Sequence, residues 1–304
     1  MRRPPLFFLL TLWACLSFSG AAAAQSTTPV LLQIADRYWM QPDVVYGSAN
    51  NTPLKLDIWY PRDNGEPTPT VVFIHGGGWI FGSKEGTVYQ LLPYLERGWR
   101  VVNVEYRMAG NSLAPGAVED SRCALRWIFR NAKQYKFDTS KIILTGQSAG
   151  GHLALITGML PDGGPLDNRC YADNKSGDVP MKVAAIINWY GITDVNDVIQ
   201  GPNLKNYAVM WMGAMPNAAD VARSVSPLTY VRGGLPPILT IHGDKDDVVP
   251  YSHATRLRDA LDKAGDVNRL VTIPGGGHGM FNQDQYARAY DEIWKFLREI
   301  KFTQ

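Results

Sequence analysis

Hydrophobic and polar positions along this chain follow two different periods. In Leu54-Lys55-Leu56-Asp57-Ile58-Trp59-Tyr60 they alternate, as in a strand with one buried face. Val44-Val45-Tyr46-Gly47 stands before it across Asn50-Asn51, a pair suited to a tight turn. These stretches predict two antiparallel strands, preceded by a lead-in over 26–40 that holds one helix. A polar loop rich in Pro, Asp and Gly covers 61–69. From Thr70 onward the pattern changes to short apolar runs of the kind found in strands buried on both faces. They lie at 70–74, 101–106, 142–144, 183–189, 237–241 and 269–273. Between and after them come segments that read as helices, at 89–96, 117–135, from 151, at 251–263 and at 286–301. Strands taking turns with helices predict one α/β domain, its mostly parallel sheet covered on both faces. Residues 194–226 break the rhythm. There Tyr207, Met210, Trp211, Met212 and Met215 stand among turn residues, so a small cap or insertion over one end of the sheet is expected.

Composition narrows this picture. A chain of 304 residues, 45% hydrophobic, suits one large domain with a real core. The formal net charge is +2 and no basic run stands out, which argues against a nucleic-acid partner. Residues 1–24 have the layout of a secretory signal peptide: Arg2 and Arg3, an apolar core at 6–16 too short to span a bilayer, then Ala21 to Ala24. Cleavage after Ala24 predicts an exported protein, periplasmic or extracellular, with residues 25–304 as the mature domain. Basic and acidic residues are then equal in number, at 28 each. No later stretch is apolar for long enough to insert stably in a membrane. Cys123 and Cys170 remain after cleavage, and an oxidising compartment permits one disulfide.

The candidate chemistry centres on Gly146-Gln147-Ser148-Ala149-Gly150, between an apolar run and a helical segment. Strand, tight turn with a serine at its apex, then helix is the context of a nucleophile elbow. Glycine at 146 and 150 removes side chains that would crowd the turn. A serine hydroxyl needs an oriented base, and in sheets of this topology the order along the chain is Ser, acid, His. Of the five histidines, His75 precedes the serine, His152 faces away from it on the elbow helix, and His242 and His253 bracket an acidic turn. His278, in a glycine-rich loop after the last strand, remains as the base. The acidic turn offers Asp244, Asp246 and Asp247, among which spacing does not choose. The same turn lacks the ligand order of a calcium loop. His75-Gly76-Gly77-Gly78-Trp79, directly after the first buried strand, is suited to an oxyanion hole, because glycines let backbone N–H groups approach a developing oxyanion. The N–H of Ala149, next after the serine, is the expected second donor.

Taken together, HGGGW at 75–79, EYRMA at 105–109, EDSRCALRWI at 119–128, GQSAGGHLAL at 146–155, NWYGITD at 188–194, SPLTYV at 226–231, HGDKDDVVP at 242–250 and GGGHG at 275–279 resemble the α/β-hydrolase serine esterases. The likeness, over roughly residues 44–300, is to the group holding feruloyl and acetylxylan carbohydrate esterases and hormone-sensitive-lipase-like carboxylesterases. Met108-Ala109-Gly110-Asn111 replaces the lipase-type continuation after Tyr106-Arg107, which leans toward the carbohydrate side. The resemblance implies an α/β-hydrolase fold, a serine carboxylesterase with no metal or organic cofactor, and Asp246 as the acid. It implies Gly76 and Gly77 as oxyanion donors beside Ala149. It also implies neighbouring helices around Cys123 and Cys170, and hence a disulfide between them. The expected substrate is a small-molecule or polysaccharide-linked ester, with acetyl or feruloyl groups the leading acyl parts. An amidase, arylformamidase or peptidase with the same three residues, or a binding module on a hydrolase scaffold, are the alternatives. Among the aromatics near these motifs, Trp79 is expected to touch substrate, while Trp189, Tyr190 and Trp211 are candidates for either a ring-binding wall or the core.

Overall fold

A continuous apolar run has no polar face to leave in water, so each such strand must lie between two layers. The computed structural model, which describes residues 28–63, 65–167, 170 and 179–303, has that arrangement. The expected signal peptide, residues 1–24, lies outside the described residues. Among the described residues eight strands form one sheet: β1 (Tyr38–Ala49), β2 (Thr52–Pro61), β3 (Thr68–Ile74), β4 (Arg100–Val104), β5 (Phe137–Gln147), β6 (Ala185–Trp189), β7 (Ile238–Gly243) and β8 (Asn268–Ile273). Their order is β1-β2-β4-β3-β5-β6-β7-β8. β1 and β2 pair antiparallel, as do β2 and β4, and every pair from β4 to β8 is parallel. This is the α/β-hydrolase fold.

Helices α1 (Thr28–Arg37), α2 (Val88–Leu95), α3 (Gly116–Arg130), α4 (Ala132–Tyr135), α5 (Ala149–Met159), α6 (Val195–Ile199), α7 (Asn206–Met212), α8 (Ala218–Ser224), α9 (Ser252–Ala264) and α10 (Gln283–Glu299) surround it. Successive strand residues point to opposite faces. In β3, Val72 and Ile74 therefore join the core under α3, α5 and α9, while Val71 and Phe73 join the core under α1, α2 and α10.

Two of the boundaries that differ from the sequence pattern have clear local reasons. β1 starts at Tyr38, inside the expected lead-in. A register shift between Gln41 and Val44, with Asp43 at φ 56°, interrupts the alternation that would reveal it. Its first residue is fixed because the Tyr38 hydroxyl donates to the carbonyls of Leu95 and Trp99, 3.0 Å each. The helix expected over 117–135 divides at Asn131, whose side-chain amide donates to the Trp127 carbonyl at 2.8 Å. A short polar side chain that bonds the backbone in this way competes with the helical ladder.

Between β6 and β7 the irregular stretch holds α6, α7 and α8, which bury Val195, Val198, Ala208, Trp211 and Met212. Arg256 of α9 ties α6 to the body through Asp194 and Asp197, both at 3.0 Å. Cys123 of α3 and Cys170, beyond α5, form a disulfide with Cα atoms 5.3 Å apart, so that the closed loop takes in β5 and α5.

Candidate active site

β5 passes into α5 through a single residue, Ser148, at φ 55° and ψ −120°. A side chain other than glycine's is strained there, and the surroundings must hold it. The Ser148 N–H donates to the Trp189 carbonyl at 2.9 Å. A Cβ on Gly146 would stand 2.4 Å from the Gly150 carbonyl oxygen, and one on Gly150 would stand 2.0 Å from that of Ile74. The glycines thus let β3, β5 and α5 meet backbone to backbone under the serine.

The loop after β8 brings His278 over that turn. Its Nε2 is 2.8 Å from Ser148 Oγ, and its Nδ1 is 2.8 Å from Asp246 Oδ2. The carboxylate only accepts, so Nδ1 carries the proton and Nε2 is left to accept from the hydroxyl. Asp246 Oδ1 accepts the N–H groups of Val248 and Val249, at 2.9 and 2.8 Å. Burial pushes the Asp246 carboxyl up, but donation from His242 and His278, the nearby His278 ring and the Val249 N–H outweigh it and hold the group well below the ordinary carboxylate range. The other two carboxylates of the turn do other things. Asp244 Oδ1 accepts the Gly275 N–H at 2.8 Å and pins the loop that carries His278. The exposed Asp247 presents its backbone carbonyl to Lys205 Nζ at 2.7 Å. A hydroxyl, an imidazole and a carboxylate in this line can release the hydroxyl proton as the oxygen attacks an electrophilic carbon.

The loop after β3 lies alongside. A Cβ on Gly76 would meet the Gln147 carbonyl oxygen at 2.8 Å, so this backbone packs against the elbow itself. Gly77 has φ 113° and its carbonyl accepts the N–H groups of Ile80 and Phe81, in a turn where a Cβ would overlap the Phe81 carbonyl. Ala149 opens α5, where a first-turn N–H has no acceptor within its own helix. Gly76, Gly77, Ser148 and His278 share a cavity of about 460 Å³, walled by Phe81, Gln90, Tyr190, Tyr207, Val248 and Tyr286.

Trp79 is a correction. It does not line this cavity but is wholly buried, stacked on Trp211 with ring centroids 4.2 Å apart. Its Nε1–H donates to His152 Nδ1 at 3.2 Å, and His152 Nε2–H donates in turn to the Val225 carbonyl at 2.7 Å. The expected substrate contact is therefore a joint between the glycine loop, the elbow helix and the segment after α8. At φ 61° the backbone turns this residue inward, which adjacency to the loop does not reveal. Of the other candidates, Trp189 and Trp211 are core residues and Tyr190 is on the wall. Tyr207 and Tyr286 were not foreseen as wall residues. Tyr207 lies where the chain has no periodicity, and Tyr286 reads as an ordinary position near the start of the last helix. Among the described residues no cluster of His, Cys, Asp or Glu is arranged to hold a metal ion.

Comparison with known proteins places these features in context. The BD-FAE family matches residues 56–261. Esterase LipC of Mycobacterium tuberculosis is 29% identical over 84% of this chain and 64% of its own length. The chain spans 53–67% of the length of the first three curated relatives it matches. Among solved structures, a truncated carbohydrate esterase from gut microbiota superposes with a TM-score of 0.73 at 25% identity, over 86% of this chain and 96% of that one. A propionate-bound thermophilic esterase, Est2 of the planctomycete Thermogutta terrifontis, gives 0.71 at 29% identity, over 86% and 94%.

Proposed function

This chain belongs to the BD-FAE family, and from that premise we propose that it is a serine carboxylic-ester hydrolase. One observation carries the proposal: the unbroken line of 2.8 Å contacts from Asp246 through His278 to Ser148, opening on a cavity. Ser148 Oγ attacks the ester carbonyl while His278 Nε2 takes its proton. Asp246 keeps the ring in the required tautomer and stabilises it when charged. The carbonyl oxygen becomes an oxyanion facing the N–H groups of Gly76, Gly77 and Ala149; in known cases one such donor is worth roughly 3–4 kcal/mol. His278 then returns the proton to the leaving alkoxide, and water releases the acyl group by the same steps in reverse. No metal or organic cofactor enters this sequence.

The substrates are short-acyl or aromatic esters, of acetyl or feruloyl type, carried by carbohydrates. Support comes from the modest cavity with its three tyrosines, from the propionate held by the Thermogutta esterase and from the likeness to a gut carbohydrate esterase. The protein acts outside the cytoplasm, in the periplasm or beyond, as the basic and apolar start of the chain suggests. Ser148→Ala tests the core of the proposal on methyl ferulate, acetylated xylan and p-nitrophenyl acetate. Hydrolysis should vanish with the fold intact; purified variant retaining more than about a thousandth of the wild-type rate would sink it. An N-terminal sequence beginning at Gln25 in the exported protein would support the location, and an uncleaved cytoplasmic protein would refute it.

A further inference from the structure

Two imidazoles, not one, face the carboxylate of Asp246. The second belongs to His242, at the end of β7 and wholly buried. Its Nε2 lies 3.2 Å from Asp246 Oδ2 and 3.0 Å from the Val249 carbonyl oxygen. Both neighbours are acceptors, and a lone pair at Nε2 would face two oxygens, so Nε2 carries a proton and donates to both. Its Nδ1 is buried with no hydrogen-bond partner among the described residues, so the ring is not held from that side. The contacts close on themselves: Val249 donates its N–H to Asp246 Oδ1 and accepts from His242, while Asp246 Oδ2 takes the N–H of both rings.

We propose that His242 is a positioning residue for the hydrolase reaction: its Nε2–H fixes Asp246 Oδ2 opposite His278 and draws off part of the charge that His278 feels. The role rests on Ser148, His278 and Asp246 acting as proposed above. It has a direction. When His278 takes the serine proton it becomes a cation beside Asp246, and a carboxylate that already donates charge density to a second N–H holds that cation less tightly. Removing the His242 N–H therefore makes His278 easier to protonate while leaving the carboxylate less firmly aimed.

The titratable groups around this pair come from several elements. Tyr251, ahead of α9, has its ring 5.7 Å from that of His242. His253 of α9 feels the His242 charge, and it in turn faces Asp197 of α6 at 3.1 Å and Arg256. Tyr190, after β6, and Tyr207, of α7, both feel the charge of Asp246. Lys245 and Asp247 flank Asp246 on the exposed side of the turn. A change at position 242 also touches Tyr251 and His253, so only a shift that the Gln variant restores reports the His242 N–H contact.

Three variants separate donation from packing. His242→Leu fills the space without a donor, His242→Asn is polar but too short to reach Oδ2, and His242→Gln sets an amide N–H near the position of Nε2. For Leu and Asn, kcat should fall by about tenfold or more, as for partners behind other functional ligands, with KM within about twofold. The acid limb of the kcat/KM profile, which reports the free enzyme's base, should move to higher pH by about half a unit. Gln should restore most of kcat and the wild-type limb. Thermal melts accompany each variant, and Asn stands in if Leu does not fold. NMR titration of the His278 ring in substrate-free protein should show the same upward shift. Wild-type kcat and an unmoved His278 titration in both Leu and Asn would overturn the proposal, and so would a Gln variant as impaired as Leu with the limb unmoved. If the NMR shift is present but the wild type hydrolyses no ester, the hydrolase proposal fails and the His242 contact stands.

Discussion

At Asp246 burial and hydrogen bonding pull in opposite directions, and the bonds win. Asp246→Asn should therefore cost kcat about a thousandfold or more, because an amide presents the wrong partner to His278 Nδ1–H. Asp244→Asn should cost less than about tenfold, acting only through the Gly275 contact, and Asp247→Asn should leave kcat nearly unchanged. Steady-state kinetics on the three variants decides it, and a larger loss at 244 or 247 would move the acid elsewhere. A second residue-scale expectation concerns His152. Burial pulls its pKa down from 6.5 to about 4, so it is neutral in the fold. Above pH 6.5 neither folded nor unfolded chain protonates it and nothing is lost. Between 6.5 and about 4 only the unfolded chain takes the proton, so stability declines as pH falls, by on the order of 3 kcal/mol at most. His253, lowered to about 3 by burial and by Arg256, adds to the same trend. Denaturant melts at pH 7 and pH 5 should show the decline, with a smaller one in His152→Gln; equal slopes in both proteins would refute it. At this scale Ser148 and His278 were legible because glycine spacing and chain order leave few choices. Asp246 was not legible from spacing alone, since three carboxylates share its turn. Nor was the part of His242, which lies in a contact four residues away that only the folded turn creates.

Among elements, the parallel strands read clearly because nothing but burial explains runs such as Val71-Val72-Phe73-Ile74. β1 was half hidden, since the irregular pairing between Gln41 and Val44 breaks its alternation. The stretch 194–226 was legible only as an interruption. Its helices are five to seven residues long, too short for periodicity to register, yet it supplies Tyr207 to the cavity wall. No long apolar helix in this stretch offers a channel for an extended chain. The wall is made largely of rings, with the polar Gln90 and Gln147 among them, so p-nitrophenyl esters of two to four acyl carbons should turn over faster than the twelve-carbon ester. The opposite order in kcat/KM would contradict this. Tyr207→Ala should widen the site and narrow the difference, mainly through KM.

Over the whole molecule, the disulfide between Cys123 and Cys170 closes a loop across 47 positions that holds β5 and α5. On the chain-entropy account such a loop contributes on the order of 4 kcal/mol. Reduction should lower Tm by on the order of 10 °C and leave kcat at 25 °C within about twofold, since no residue of the Ser148–His278–Asp246 line touches the bridge. Melts with and without reductant test the first point. Thiol titration of the unfolded, unreduced chain from residue 25 onward tests the pairing, and two free thiols would rule it out. The sequence made this bridge arguable only through the fold it resembles, because pairing across 47 residues leaves no local pattern. The same long reach governs Ser148 and His278, which are 130 residues apart with β8 among the last pieces between them. A chain still leaving the ribosome thus carries its proposed nucleophile without a base, and it is inert toward esters it meets during synthesis. Turnover becomes possible only when the final strand docks on the sheet edge. In refolding, activity should then serve as a clock for that docking, rising after the fluorescence of the tryptophans in the central core has settled.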